Sequence, residues 1–224
     1  MYQLLQFLKE DNIDLVDLDD FSRFQILENK SPKLCTDRLD GVLHTCYIWL
    51  HTHSLEQIKE IYNNMVILKN EDGNLEIGFC DLKIAEKFVC MVYNYAKELQ
   101  RNTDKYVMKY ISEIVKLAVQ RNLVSLEDLY TKREKDICDI FAANFLSWSI
   151  FNEASTLVQS EIEPSGVFYI SFDTKKRNAI PLIQTPYGSR RITEVSDKAL
   201  EKYNELREYK DSKYAYVKKI RKIY

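Results

Sequence analysis

Five glycines and four prolines in 224 residues leave this chain few places to turn sharply. An average domain carries about 12% of the two together. So few breakers leave little room for a meander of short strands or for glycine-rich phosphate loops, and long helices are the natural outcome. With 46% hydrophobic and 12% aromatic residues the chain has ample material for a core, which excludes a disordered segment. The expected fold class is mainly α, with a small β-hairpin at about 66–79 and a short C-terminal β segment at about 166–183.

The charges sum to −2, which excludes a uniformly basic nucleic-acid binder, and no nucleic-acid partner is expected. The sum hides an asymmetry. Residues 166–224 hold 14 Lys/Arg against 7 Asp/Glu, so the rest of the chain is acidic. A basic C-terminal end suits an anionic ligand, or equally a solvated charged helix. The five cysteines (35, 46, 80, 90, 138) form no C-x-x-C pair and sit among apolar neighbours, which reads as reduced core thiols and a cytoplasmic location. The start, MYQLLQFLKED, reads as neither a leader nor a membrane span, and no membrane partner is expected.

Along the chain, Leu4, Leu5, Phe7 and Leu8 make a short apolar face, and Asp17-Leu18-Asp19-Asp20 precedes Phe21. After Ser31-Pro32 a helix is expected from about Lys33 to Leu50. Ser54, with Glu56 and Gln57, caps the next. Asp72-Gly73 between two β-rich runs predicts the hairpin. Asp81 and Thr103 open two long helices, others follow near 132–146 and 148–154, and a last one is expected from about Ser196 through the tyrosine- and lysine-rich end. The spacing predicts a helical body over 1–160 and a basic α+β extension over 161–224 packed on it.

The helix at 33–50 separates two kinds of residue. At 100° per residue Leu39, Val42, Leu43, Cys46, Trp49 and Leu50 share one face, while Asp37, Asp40, His44 and His51 gather on the other. Carboxylate and imidazole groups one or two turns apart can converge on a metal. The same spacing also makes a solvated stripe whose N-terminal acids favour the helix dipole.

The segment Leu34-Cys35-Thr36-Asp37-Arg38-Leu39-Asp40 resembles the C-A-D-R-x-D-Y segment of HD-superfamily metal-dependent phosphohydrolases, in the branch similar to deoxynucleotide triphosphohydrolases. The Asp72-Gly73 hairpin, Asp81–Phe88 (D-x-x-x-A-E-x-F), Val124–Leu129 and Lys175-Lys176-Arg177 before Ile180-Pro181-Leu182 follow in that branch's order. The resemblance implies a helical HD-like domain, hydrolysis of a nucleotide or other phosphate ester by metal-bound hydroxide, and a divalent metal in the complete family. It implies Asp37 as a metal ligand and Arg38 as a phosphate contact, with Lys175, Lys176 and Arg177 as further anion contacts and Asp40, His44 and His51 as secondary candidates. The family's remaining ligands are a His and a His-Asp pair upstream of this segment. Here no His precedes His44 and no His-Asp dipeptide occurs, so three of four ligands have no counterpart. Gly41 stands where the family has Tyr.

The chain therefore reads as the C-terminal portion of such an enzyme, inactive and metal-free alone, with a homodimer or a chain supplying the other half as its expected partner. The alternative is a non-catalytic interaction or regulatory module that keeps the scaffold and binds a partner or an anion. His51-Thr52-His53 reads as a local turn, and Arg190-Arg191 as a phosphate receiver or a charged strand edge. Tyr209, Tyr214, Tyr216 and Tyr224, interleaved with lysines, suit base stacking or an amphipathic helix docking its tyrosines on the body. No P-loop, G-x-S-x-G or H-E-x-x-H motif supports a kinase, serine-hydrolase or zincin reading.

Overall fold

The computed structural model describes residues 2–14, 16, 24–173 and 176–221. The side chain of Leu4, the run Asp17-Leu18-Asp19-Asp20-Phe21, and Lys175, Lys222 and Tyr224 lie outside the described residues. In chain order the elements are α1 (Tyr2–Glu10), α2 (Thr36–His44), a π turn (Thr45–Trp49), α3 (Leu55–Asn63), β1 (Met65–Lys69), β2 (Leu75–Phe79), α4 (Leu82–Leu99), α5 (Asn102–Gln120), α6 (Asp128–Thr131), α7 (Glu134–Asn144), α8 (Leu146–Glu153), β3 (Val158–Ser160), β4 (Tyr169–Ile170), β5 (Leu182–Thr185), β6 (Gly188–Arg191), a 3₁₀ turn (Ile192–Glu194), α9 (Asp197–Glu208) and β7 (Tyr214–Tyr216). They form two units interleaved along the chain: Met1–Ala96 with Lys176–Glu208, and Lys97–Lys175 with Tyr209–Tyr224.

The fold is mixed α/β, which corrects the mainly α expectation. Helix makes up 51% and strand 13%, and the strands build a four-stranded mixed sheet and a three-stranded sheet. The scarcity of breakers misled because all seven of these strands are only two to five residues long and need few Gly or Pro to bound them. The expected strand at 166–183 is strand only at Tyr169–Ile170 and from Leu182 onward.

In the first unit local signals act as written. Ser54 caps α3 through a capping box with Gln57, and the Asp81 carboxylate accepts from Lys83 N (2.8 Å) and Ile84 N (3.1 Å) at the start of α4. The hairpin turns at Gly73, whose φ of +79° favours glycine. The sheet order is β1-β2-β5-β6, with β2 and β5 parallel through Gly78↔Leu182 and Phe79↔Ile183 and the outer pairs antiparallel. Leu39, Val42 and Cys46 bury against a core that includes Phe79, Phe88 and Met91, the two phenyl rings 5.2 Å apart.

Trp49 departs from that face. The helix loosens into the π turn, where Leu50 N bonds to Thr45 O at 2.9 Å, and the wider turn rotates the side chains that follow Cys46. Trp49 is 68% exposed, so the expected burial of its ring is wrong. Trp49→Ala should change stability by no more than about 0.5 kcal/mol, as at an ordinary surface site. A urea-denaturation loss of about 3 kcal/mol, the cost of a core aromatic, would contradict this placement.

The second unit packs α5, α7 and α8 around Tyr106, Tyr110, Phe141 and Trp148. The Tyr110 and Phe151 rings stack at 4.2 Å, and Tyr110 OH donates to Ser147 Oγ at 2.9 Å. Its sheet runs β3-β7-β4, antiparallel throughout. The last helix stops at Glu208 rather than continuing through the tyrosines. Beyond it the chain is tethered: Asn102 N donates to Asp211 Oδ2 (2.7 Å) and Asn102 Nδ2 to Ser212 O (2.7 Å), so residues 211–212 are held at the start of α5.

Candidate functional site

The D-R-L-D segment opens α2, pinned by Thr36 N to Ile26 O (2.7 Å) and Asp37 N to Leu27 O (3.2 Å). Asp37 lies in the first turn, where a carboxylate favours the helix dipole. Arg38 turns back on the loop before the helix. Its guanidinium donates to Asn29 Oδ1 (3.0 Å), Asn29 O (2.9 Å), Lys33 O and Cys35 Sγ (3.3 Å), and Glu28 Oε1 lies 3.9 Å away. The residue read as a phosphate contact thus organises residues 28–35.

Asp37, Asp40 and His44 line the exposed side of α2. His51 follows the π turn with a φ of +49°, and Thr52 Oγ1 is 2.9 Å from Nδ1 of His53, whose pKa burial lowers from the ordinary imidazole value. Among the described residues no three His, Cys, Asp or Glu side chains come together as a metal site. Asp40 and His44 share the exposed side of the helix with Asp37 without forming such a three-ligand group among the described residues.

Behind the helix start lies a charge cluster that the sequence reading missed. Glu76, on β2, is 0% exposed. Its carboxylate accepts from Leu34 N (2.9 Å), Asn70 Nδ2 (3.1 Å), and Arg191 Nη1 (2.5 Å) and Nη2 (2.8 Å). Arg191 also donates to Ile180 O (2.8 Å) and to both Glu71 oxygens (2.8 and 3.0 Å). Burial works to lower the Arg191 pKa, yet the Glu76 and Glu71 carboxylates hold it above the ordinary value. Lys33 pairs with Asp72 beside them. The anion that Arg191 receives is the protein's own, while Arg190 lies 3.7 Å from Glu194. The available signal was Glu76 itself, an acid inside a β-rich run.

Of the other basic candidates, Lys175 lies outside the described residues, Lys176 donates to Arg207 O, and Arg177 is exposed. The next residues, Asn178 to Ile180, line a crevice together with Val92, Tyr93, Lys202, Tyr203 and Leu206. It has room for about one water molecule, too little for a nucleotide.

No family model and no solved structure matches the chain. It is similar to the uncharacterized protein YdhJ of Bacillus subtilis (strain 168), 28% identical over 129 residues, which is 57% of this chain and 37% of that protein. The match thus covers little more than a third of that relative's length. Among the described residues no helix is long and apolar enough to cross a membrane.

Proposed function

We propose that this chain is a non-catalytic interaction or regulatory module, cytoplasmic, that is related to HD-type phosphohydrolases and binds a partner or an anion. The observation that carries this reading is Arg38: the basic residue of the D-R-x-D segment spends its donors on Asn29, Lys33 and Cys35 rather than facing a ligand. A guanidinium has five N–H donors, and those used here define a loop. Asp37 beside it belongs to no group of three metal-ligating side chains among the described residues, and metal catalysis needs a fixed ion.

The purified chain, supplied with Mg²⁺, Mn²⁺, Fe²⁺ or Zn²⁺, should hydrolyse neither deoxynucleoside triphosphates nor p-nitrophenyl phosphate. Turnover that disappears in Asp37→Ala would overturn this reading and point to His44 and His51 as further ligands. A second reading, an HD-type phosphohydrolase half whose remaining ligands come from another chain, rests on the resemblance of Asp37-Arg38-Leu39-Asp40 to that family's D-R-x-D segment. Its mark would be Asp37-dependent activity that appears only on mixing with a polypeptide carrying His and His-Asp motifs.

A further inference from the structure

The three-stranded sheet of the second unit carries a surface of tyrosines and cations apart from Asp37 and Arg38. Its central strand β7 is Tyr214-Ala215-Tyr216. Successive side chains on a strand face opposite ways. Ala215 and its partner Ile170 are buried in the core, so Tyr214 and Tyr216 share the other face with Tyr169, which stands opposite Tyr216. The Tyr169 and Tyr214 rings meet edge to face at 5.6 Å; Tyr214 is covered, while Tyr169 and Tyr216 remain partly open.

Cations flank this face on both sides. Past β7 the chain turns from Val217 to Ile220, closed by Ile220 N to Val217 O (3.1 Å) and fixed by Phe168 N to Ile220 O (2.8 Å). Val217 and Ile220 are buried, so Lys218 and Lys219 are held out at the tip, with Arg221 exposed beside them. Before β7, Lys213 Nζ lies 5.2 Å from the Tyr214 ring centre, and Lys210 is exposed. Lys210, Lys218, Lys219 and Arg221 have no acidic partner among the described residues, and Asp211 is committed to Asn102. An acid also stands on this face: Glu163 accepts from the Tyr169 hydroxyl.

We infer that this face binds single-stranded nucleic acid, with Tyr216 and Tyr169 stacking on unpaired bases and Lys218, Lys219 and Arg221 holding phosphates. Flat aromatic faces between unpaired cations suit a strand whose bases are free to stack. A duplex hides its bases and needs an element that enters a groove, which a three-residue central strand does not supply. A membrane surface needs an apolar anchor beside the cations, and here the apolar residues of the turn point inward.

The test is fluorescence anisotropy of the full chain with a labelled oligothymidine about 20 nucleotides long, across a salt series. Binding should weaken with salt by about 0.7 log units per log unit for each phosphate held. The Lys218→Ala/Lys219→Ala/Arg221→Ala variant should lose at least about tenfold in affinity and flatten the slope by about 2. Tyr216→Ala should lose about tenfold with the slope unchanged, while Tyr216→Phe keeps affinity. The cation variant changes only exposed side chains, so it decides the matter even if Tyr216→Ala does not fold. Four results would overturn the inference: no binding at the lowest salt, an unchanged affinity in the cation variant, equal or tighter binding of a duplex of the same length, or capture by phosphatidylserine vesicles without oligonucleotide binding.

Discussion

Arg191→Met should destabilise the protein by about 3–5 kcal/mol, the cost of stranding one member of a buried ion pair. The stranded group is the Glu76 carboxylate, 0% exposed, which would keep only Leu34 N and Asn70 Nδ2 as donors. Ile180 O and the Glu71 carboxylate would lose their partner as well. The companion Glu76→Leu/Arg191→Met variant should recover part of the loss, because it removes both charges together. Recovery stays incomplete, since Leu34 N and Asn70 Nδ2 then have no carboxylate to donate to. Urea midpoints of the two variants measure this. A single variant within about 0.5 kcal/mol of the wild type would show that the pair contributes nothing.

Gly78→Ala should cost about 3 kcal/mol, the upper end of what overpacking a core does. A Cβ at this position would sit 2.6 Å from Leu68 Cδ1, 2.7 Å from Leu182 O and 3.0 Å from Leu182 Cβ. The leucine methyl can move, but a carbonyl and a Cβ on the adjoining strand cannot move without shifting that strand. Gly78 is one of two β2 positions in register with β5, so the substitution attacks the joint that attaches β5 and β6. Hydrogen exchange at the backbone amides of β5 should accelerate together with the fall in urea midpoint. A stable variant with protected β5 amides would refute the close approach.

Signals contained in a few neighbouring residues were legible in the sequence. The Ser54 cap, the Asp72-Gly73 hairpin, the start of α4 at Asp81 and the buried Leu39/Val42/Cys46 stripe all follow from local chemistry. Features made by contact between distant segments were not. β6 reads Gly-Ser-Arg-Arg, with no apolar alternation; it pairs along β5, and its Arg191 reaches Glu76, 115 residues away in sequence. β7 is three residues long, and its neighbours β3 and β4 come from elsewhere in the chain. The π turn is a small change of winding that no residue type announces, yet it decides which way Trp49 points. At the candidate site the sequence placed Asp37, Asp40 and His44 on one exposed face. It could not show that the acceptors for Arg38 lie in its own loop, because three of the four are backbone carbonyls or a thiol.

The interleaving of the two units matters while the chain is being made. β2 pairs with β5 about a hundred residues later, and β3 and β4 are joined only through β7. At the usual 5–20 residues per second of synthesis, the β1–β2 hairpin waits roughly 5–20 s with one edge open. Open edges invite pairing with other nascent chains. During that wait Glu76 has no guanidinium to neutralise it, because Arg191 has not been made. A carboxylate with no cation to neutralise it is costly to bury, so it disfavours wrong strands adding over it, as a gatekeeper charge does. The residue that ties the finished sheet together thus keeps the open hairpin charged until residue 191 is made.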